Sequence, residues 1–171
     1  MDLIDSDDTD AICIGTWPYM HSTLVLAALE SGKHVLTEAR MAMNAAEADD
    51  MLTASRENPD LVTQIVPSPL TLKVDETIKE MMSNGYLGDV LSMDVTFHQG
   101  GFIDYDAPLH WRHDRDLSGY NILWMGIWYE AMMRWVGPAS TVVSINRVNV
   151  KSRRDQTGAS RHITIPDHVE L

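Results

Sequence analysis

The feature that most constrains this chain is a pair of short apolar runs, 11–14 and 34–37, separated by one helix length and a glycine. Ala11-Ile12-Cys13-Ile14 is cut off by Gly15-Thr16-Trp17-Pro18, and glycine with proline breaks an extended run into a loop. From His21 to Ser31, Leu24, Val25, Ala28 and Leu29 recur three and four residues apart, the spacing of one helix face. Gly32 supplies a left-handed stop, after which His34-Val35-Leu36-Thr37 resumes an extended run ending at Glu38. A strand, helix and second strand of these lengths form a crossover joining parallel strands. The segments Thr16 to Pro18 and Glu38 to Arg40 are therefore expected side by side at the carboxyl edge of one sheet, where open α/β sheets bind ligands.

A second helix is expected from Asn44, a good N-cap with Glu47 three positions on, its apolar Ala48, Met51 and Leu52 facing one way. Leu61 to Val66 reads as another strand, and Pro67 and Pro69 mark a boundary between units 1–67 and 68–171. Beyond it, a helix from about Leu72 to Asn84 turns Val74, Ile78, Met81 and Met82 inward and stops at Gly85. Val90 to His98 alternates, with Leu91, Met93, Val95 and Phe97 on one face and Ser92, Asp94, Thr96 and His98 on the other. That is the pattern of an antiparallel sheet buried on one side. Ile122 to Val136 is apolar nearly all round and stops at Gly137-Pro138, which predicts a buried helix. Thr141 to Val150 and His162 to Pro166 read as further strands. The fold class is α/β, a parallel sheet followed by part of an α+β domain with a mostly antiparallel sheet.

A formal charge of -12 repels phosphate backbones and anionic membrane surfaces, so no nucleic-acid or membrane partner is expected. Cys13 is the only cysteine; it excludes an intrachain disulfide and reads as buried filler in a reducing cytoplasm. No apolar stretch nears the roughly 20 residues of a membrane span, and the first residues lack the basic and apolar segments of a signal peptide.

The string Asp10-Ala11-Ile12-Cys13-Ile14-Gly15-Thr16, then Trp17-Pro18 and His21, then Ala27-Ala28-Leu29-Glu30-Ser31-Gly32-Lys33-His34-Val35-Leu36, closely resembles the Gfo/Idh/MocA (glucose-fructose oxidoreductase and inositol dehydrogenase) family. Further matches are Gly85-Tyr86-Leu87-Gly88, Trp111-Arg112 ahead of Ser118-Gly119, Arg134-Trp135-Val136-Gly137 and Ile165-Pro166-Asp167-His168. The resemblance implies the second half of a Rossmann domain, without its opening glycine-rich turn, joined to part of an α+β domain. It also implies NAD or NADP as cofactor, a sugar, polyol or related small molecule as substrate, and homo-oligomer contacts through the C-terminal sheet. The family's Glu-Lys-Pro motif aligns with Glu38-Ala39-Arg40, and its Asp-x-Gly-x-His signature with Trp124-Met125-Gly126-Ile127-Trp128. Alanine and tryptophan thus stand where the family carries its proton-moving groups.

By the same resemblance Thr16, Trp17, Pro18, His21 and Glu38 line the cofactor crevice. Arg40 replaces the lost lysine charge and has the planar fork for a substrate carboxylate, though its pKa bars an ordinary proton shuttle. Trp124 and Trp128, four apart on one helix face, suit an aromatic wall against a ring substrate. Tyr129 contacts the same substrate, and Tyr129 or Glu130 is the candidate for the missing base. Trp111 and Arg112 are expected in a substrate-contacting loop. His110, His113 and Asp114 nearby are a weak metal pattern lacking a third spaced ligand, so no metal is expected. The function implied is NAD(P)-dependent oxidation or reduction of a sugar-like or polyol-like molecule. The alternatives are a non-catalytic scaffold or binding protein, and a lyase or hydrolase of the same family that retains NAD.

Overall fold

In the computed structural model, which describes residues 2–67, 73–100, 104–120 and 123–171, the chain opens with the anticipated crossover. Strand β1 (Ala11–Ile14) leads through a 3-10 turn (Pro18–Met20) into helix α1 (His21–Glu30), then strand β2 (His34–Thr37). Gly32 has φ +70°, a conformation cheap only for glycine. Helix α2 (Ala45–Glu57) and strand β3 (Thr63–Ile65) follow. All three strands are parallel, in the order β1-β2-β3. Ile12 pairs with Val35 and Ile14 with Thr37, so these four share one face. Val25, Ala28 and Leu29 of α1 and Met51 of α2 close over it as a single core.

Helix α2 starts where the sequence places it. Asn44 accepts from the Glu47 N–H at 3.0 Å, while Glu47 Oε2 accepts from the Met43 N–H at 3.0 Å, a reciprocal cap of the kind that satisfies orphan donors. Its inward face is Met51 with Ala54, whereas Leu52 is exposed, because a one-residue step rotates a helical side chain about 100° away from Met51. Cys13 is exposed, not buried. It lies in register with Leu36, itself 37% exposed, on the face opposite Ile12 and Ile14, because alternate strand residues point to opposite sides.

The second part of the chain departs further from expectation. Helix α3 (Asp75–Ser83) ends before Gly85 at φ +77°; Ile78, Met81 and Met82 are half-buried, but Val74 is exposed. Leu72, Pro69 and Ile122 lie outside the described residues. Residues 90–98 form no ladder with any described strand, and Leu91 is 93% exposed. The alternation sorts side chains onto two faces, but a strand also requires a neighbour for its N–H and C=O groups. After a 3-10 turn (Trp111–His113) come α4 (Arg115–Ser118) and α5 (Leu123–Val136). In α5 only Ala131 is fully buried among the described side chains, and Trp124 and Val136 are exposed. The helix rests on α3, where Asp75 binds Arg134 at 3.1 Å and accepts from Trp135 Nε1 at 2.9 Å, which covers one side only.

Four short strands complete the chain: β4 (Ile145–Arg147), β5 (Ser152–Arg154), β6 (Ser160–His162) and β7 (His168–Glu170). They pair antiparallel as β4 with β7 and β5 with β6. The long strand expected over 141–150 is thus only its central three residues. Of the strand expected over 162–166 only His162 belongs to β6, paired with Ser152; residues 163–166 form a connection in which Ile163 and Ile165 are buried.

Candidate functional site

The tips of β1 and β2 meet at one edge. Ile14 and Thr37 are paired, and the Glu38 N–H donates to the Ile14 carbonyl at 3.0 Å. His21, at the start of α1 and 1% exposed, spans the two loops that follow: Nδ1 lies 2.7 Å from the Arg40 carbonyl oxygen and Nε2 2.9 Å from that of Thr16. The ring therefore ties the loops together from beneath, and neither nitrogen is left for a ligand. Pro18 is buried, while Thr16, Trp17 and Glu38 are exposed. An open groove of about 250 Å³ runs along Gly15, Thr16, Trp17, Tyr19 and Met20. Next to Ile14 on β2, the Thr37 hydroxyl is buried without a hydrogen-bond partner.

The segment around Trp111 closes over this edge. Trp17 and Trp111 stack with centroids 6.1 Å apart and planes 23° from parallel, an offset arrangement favoured by aromatic quadrupoles. The Arg112 guanidinium lies over the other partner of that stack, 4.2 Å from the Trp111 centroid. Arg40 reaches across from the β2 loop, its Nη1 donating to the carbonyls of Ser118 at 2.7 Å and Tyr120 at 3.2 Å, and its Nε is buried without an acceptor. Burial, and then the Arg112 charge, hold the Arg40 guanidinium down to about 10. His110 is likewise lowered by burial and then by Arg112. His113 is lowered by burial, then by Arg153 and His110. The two histidines cap their own turn: His110 Nδ1 accepts from the Arg112 N–H and His113 Nδ1 from the His110 N–H. Among the described residues no three His, Cys, Asp or Glu side chains converge as metal ligands.

Ser118 and Gly119, noted in the sequence only as landmarks, are structural parts of the site. Ser118 is fully buried, and its hydroxyl donates to the Asp114 carbonyl at 2.9 Å. Gly119 has φ +62° and packs so closely on Met43 that a Cβ would lie 2.6 Å from the Met43 carbonyl oxygen. The adjacent Ser-Gly pair was the available signal; its contact with residue 43 was not.

The α5 residues form a separate group. Phe97 stacks on Trp124 at 5.3 Å and tilts against Trp128 at 5.6 Å, and Trp128 Nε1 is buried without an acceptor. The Tyr129 hydroxyl accepts from the Ala139 N–H at 3.2 Å, and Glu130 pairs with Arg134 at 3.4 Å. Among the described residues, no hydrogen bond or ring contact joins these side chains to Trp17, Arg40 or Trp111.

Comparison with known proteins agrees with this architecture. Residues 1–65 match the model described as "Oxidoreductase family, NAD-binding Rossmann fold", and residues 76–170 match the GFO/IDH/MocA C-terminal domain. The chain belongs to the GFO/IDH/MocA family. It is 26% identical over 121 residues to levoglucosan dehydrogenase of Pseudarthrobacter phenanthrenivorans, covering 71% of this chain and 31% of that protein. A crystal structure of an oxidoreductase domain protein from Kribbella flavida superposes with TM-score 0.83 at 24% identity, covering 98% of this chain and 45% of the other. Levoglucosan dehydrogenase in complex with NADH and levoglucosan gives TM-score 0.78 at 22% identity, covering 97% and 44%. The chain therefore spans less than half the length of each protein it matches here. The family's cofactor is a nicotinamide dinucleotide. No helix among the described residues is long and apolar enough to cross a membrane.

Proposed function

We propose that the chain forms part of an NAD(P)-dependent oxidoreductase acting on a sugar, polyol or related small molecule. The reading is carried by the β1-β2 edge, where a paired Ile14 and Thr37 set two loops next to each other and an exposed indole, Trp17, walls a groove beside them. A flat ring beside an open groove suits the nicotinamide half of the cofactor. Thr16, Trp17, Pro18 and Glu38 would hold it, and when bound it supplies or accepts the electron pair of an alcohol–ketone conversion. His21 serves by fixing the loops. Within the 171 residues there is no G-x-G pair, and backbone N–H groups of such a turn are what grip a pyrophosphate. This chain's own contribution is thus to the nicotinamide end.

The substrate side falls to Trp111, stacked on Trp17, with Arg112 over it, to Arg40, and to Trp124, Trp128 and Tyr129 of α5. Tyr129 and Glu130 carry the titratable atoms for the substrate hydroxyl proton, since Ala39, Trp124 and Trp128 have none. Division into units 1–67 and 68–171, and self-association through the second, belong to the same reading; exposed Val142, Val143 and Ile145 support the latter.

The test is calorimetric titration of the chain with reduced nicotinamide mononucleotide and with AMP. The mononucleotide should bind and AMP should not, and Trp17→Ala should weaken binding about tenfold or more, a loss of about 1.4 kcal/mol. No binding of the mononucleotide, or equal binding of AMP, refutes the reading.

A further inference from the structure

We propose that His110 and His113 are positioning residues: as neutral imidazoles they cap the turn that sets Trp111 onto Trp17, and a proton on either ring releases that contact, so the indole that walls the groove is held in place only above a threshold pH.

Both rings are committed as acceptors. His110 Nδ1 accepts from the Arg112 N–H at 3.2 Å, and His113 Nδ1 accepts from the His110 N–H at 3.1 Å. A neutral imidazole keeps one bare nitrogen that accepts, whereas the imidazolium carries hydrogen on both and only donates. Protonation therefore removes an acceptor and sets a new N–H against the amide it was binding. An asparagine or serine cap does not titrate, and histidine is the side chain that changes charge nearest neutrality. The two side-chain bonds stand beside two backbone bonds in this turn, from His113 to the His110 carbonyl at 2.8 Å and from Asp114 to the Trp111 carbonyl at 3.0 Å. What the turn carries is Trp111, stacked on Trp17, which lines the groove.

The groups facing the rings give a proton no counter-charge. Arg112 lies on the turn itself, and Arg153 of β5, 5% exposed, donates to the carbonyls of Asp104 and Ala107. Asp114, Arg115, Asp116, Arg161 and His162 line one pocket with His113. Of these, Arg161 is paired with Asp155, Arg115 lies over Tyr120, and Asp114 accepts from the Asp116 N–H. The loop 104–109 adds Asp104, Tyr105 and Asp106, and the turn under α4 adds Tyr19. Among the described residues no carboxylate forms an ion pair with either ring. Burial and then the Arg112 charge lower His110, while burial, then Arg153 and His110, lower His113. With folded values depressed, the cap is complete above the unfolded value of about 6.5 and is lost as pH falls through the lower folded ones. The rings are 6.2 Å apart, so they titrate as a coupled pair.

The experiment is fluorine NMR of the chain labelled with 5-fluorotryptophan, from pH 8 to pH 5, the signals assigned with Trp17→Phe and Trp111→Phe. The Trp17 and Trp111 signals should stay constant above pH 7 and move together with a midpoint below about 6.5, while far-UV circular dichroism stays unchanged. The double variant His110→Asn with His113→Asn keeps an acceptor at each position without a titrating group, and its two signals should hold still over the whole range. His110→Ala with His113→Ala should show at pH 8 the signals that the unaltered chain shows at pH 5. Signals that do not move in the unaltered chain, that move only with global unfolding, or that still titrate in the double asparagine variant overturn the inference. These signals involve no cofactor, so the inference stands or falls apart from the oxidoreductase reading, which the mononucleotide titration decides.

Discussion

Replacing Gly119 by alanine tests how rigidly the site is assembled. Gly119 adopts φ +62° and ψ -154°, a region essentially closed to L side chains and costing on the order of 1–3 kcal/mol. The added Cβ would also sit 2.6 Å from the Met43 carbonyl oxygen and 3.2 Å from the Met43 carbonyl carbon. That carbonyl cannot easily give way, because it lies between two groups tied to Glu47 in the cap of α2, the Met43 N–H and the Asn44 side chain. The combined cost is about 3 kcal/mol or more, a large share of the 5–15 kcal/mol that stabilises an ordinary domain. The internal control is Gly158→Ala: φ is +83° but nothing lies within 4 Å of the new Cβ, so only the backbone cost of about 1–2 kcal/mol applies. Urea denaturation followed by tryptophan fluorescence gives both values from the shift in midpoint at constant slope. If Gly119→Ala costs no more than Gly158→Ala, the contact with Met43 does not constrain the fold and the reasoning is refuted.

Asp75→Ala removes both the Arg134 ion pair and the Trp135 indole acceptor from a carboxylate only 13% exposed; a loss of about 2 kcal/mol in urea denaturation is expected, and a change below about 0.5 kcal/mol would argue that α3 and α5 are held by other contacts. Asp155 is held well below the ordinary carboxylate range by hydrogen bonds from Thr157 and Arg161. A depressed carboxylate lends stability that is present above its unfolded value of about 3.9 and is lost as pH falls through the lower folded value. The Thr157 amide signal should therefore hold from neutral pH to below about 4 and shift only in stronger acid; a midpoint at the ordinary value would contradict this. Cys13, exposed on the open sheet face, should react stoichiometrically with Ellman's reagent in the folded chain, whereas protection until denaturant is added would show that the face is covered.

The first 67 residues were largely legible because their signals are local. Gly32, the Asn44–Glu47 cap and the two apolar runs each act within a few residues, and they alone determine that β1 and β2 end at the same edge. What escaped reading depends on partners distant in sequence. A four-residue apolar run such as 11–14 resembles a strand covered on both faces, yet Cys13 is exposed, since burial depends on which layers arrive. Residues 90–98 have faultless alternation but no described ladder partner. The apolar girth of α5 suggested burial all round, while α3 and Phe97 meet it on limited faces. Arg40 was expected to offer its fork to a substrate; its Nη1 instead binds carbonyls 78 and 80 positions along the chain.

That last displacement changes how the two arginines divide their work. A guanidinium fixed by Ser118 and Tyr120 contributes charge from a set position, while Arg112 lies on the Trp111 face and, among the described residues, makes no hydrogen bond through its guanidinium. Beneath the two loops, His21 contacts the Thr16 and Arg40 carbonyls. A substitution at His21 should therefore disturb both loops at once, Thr16 with Trp17 on one side and Arg40 on the other, although the imidazole itself is 1% exposed. Binding along the groove and the Arg40 contacts with Ser118 and Tyr120 would then weaken together, a coupling that a substitution at Trp17 alone would not produce.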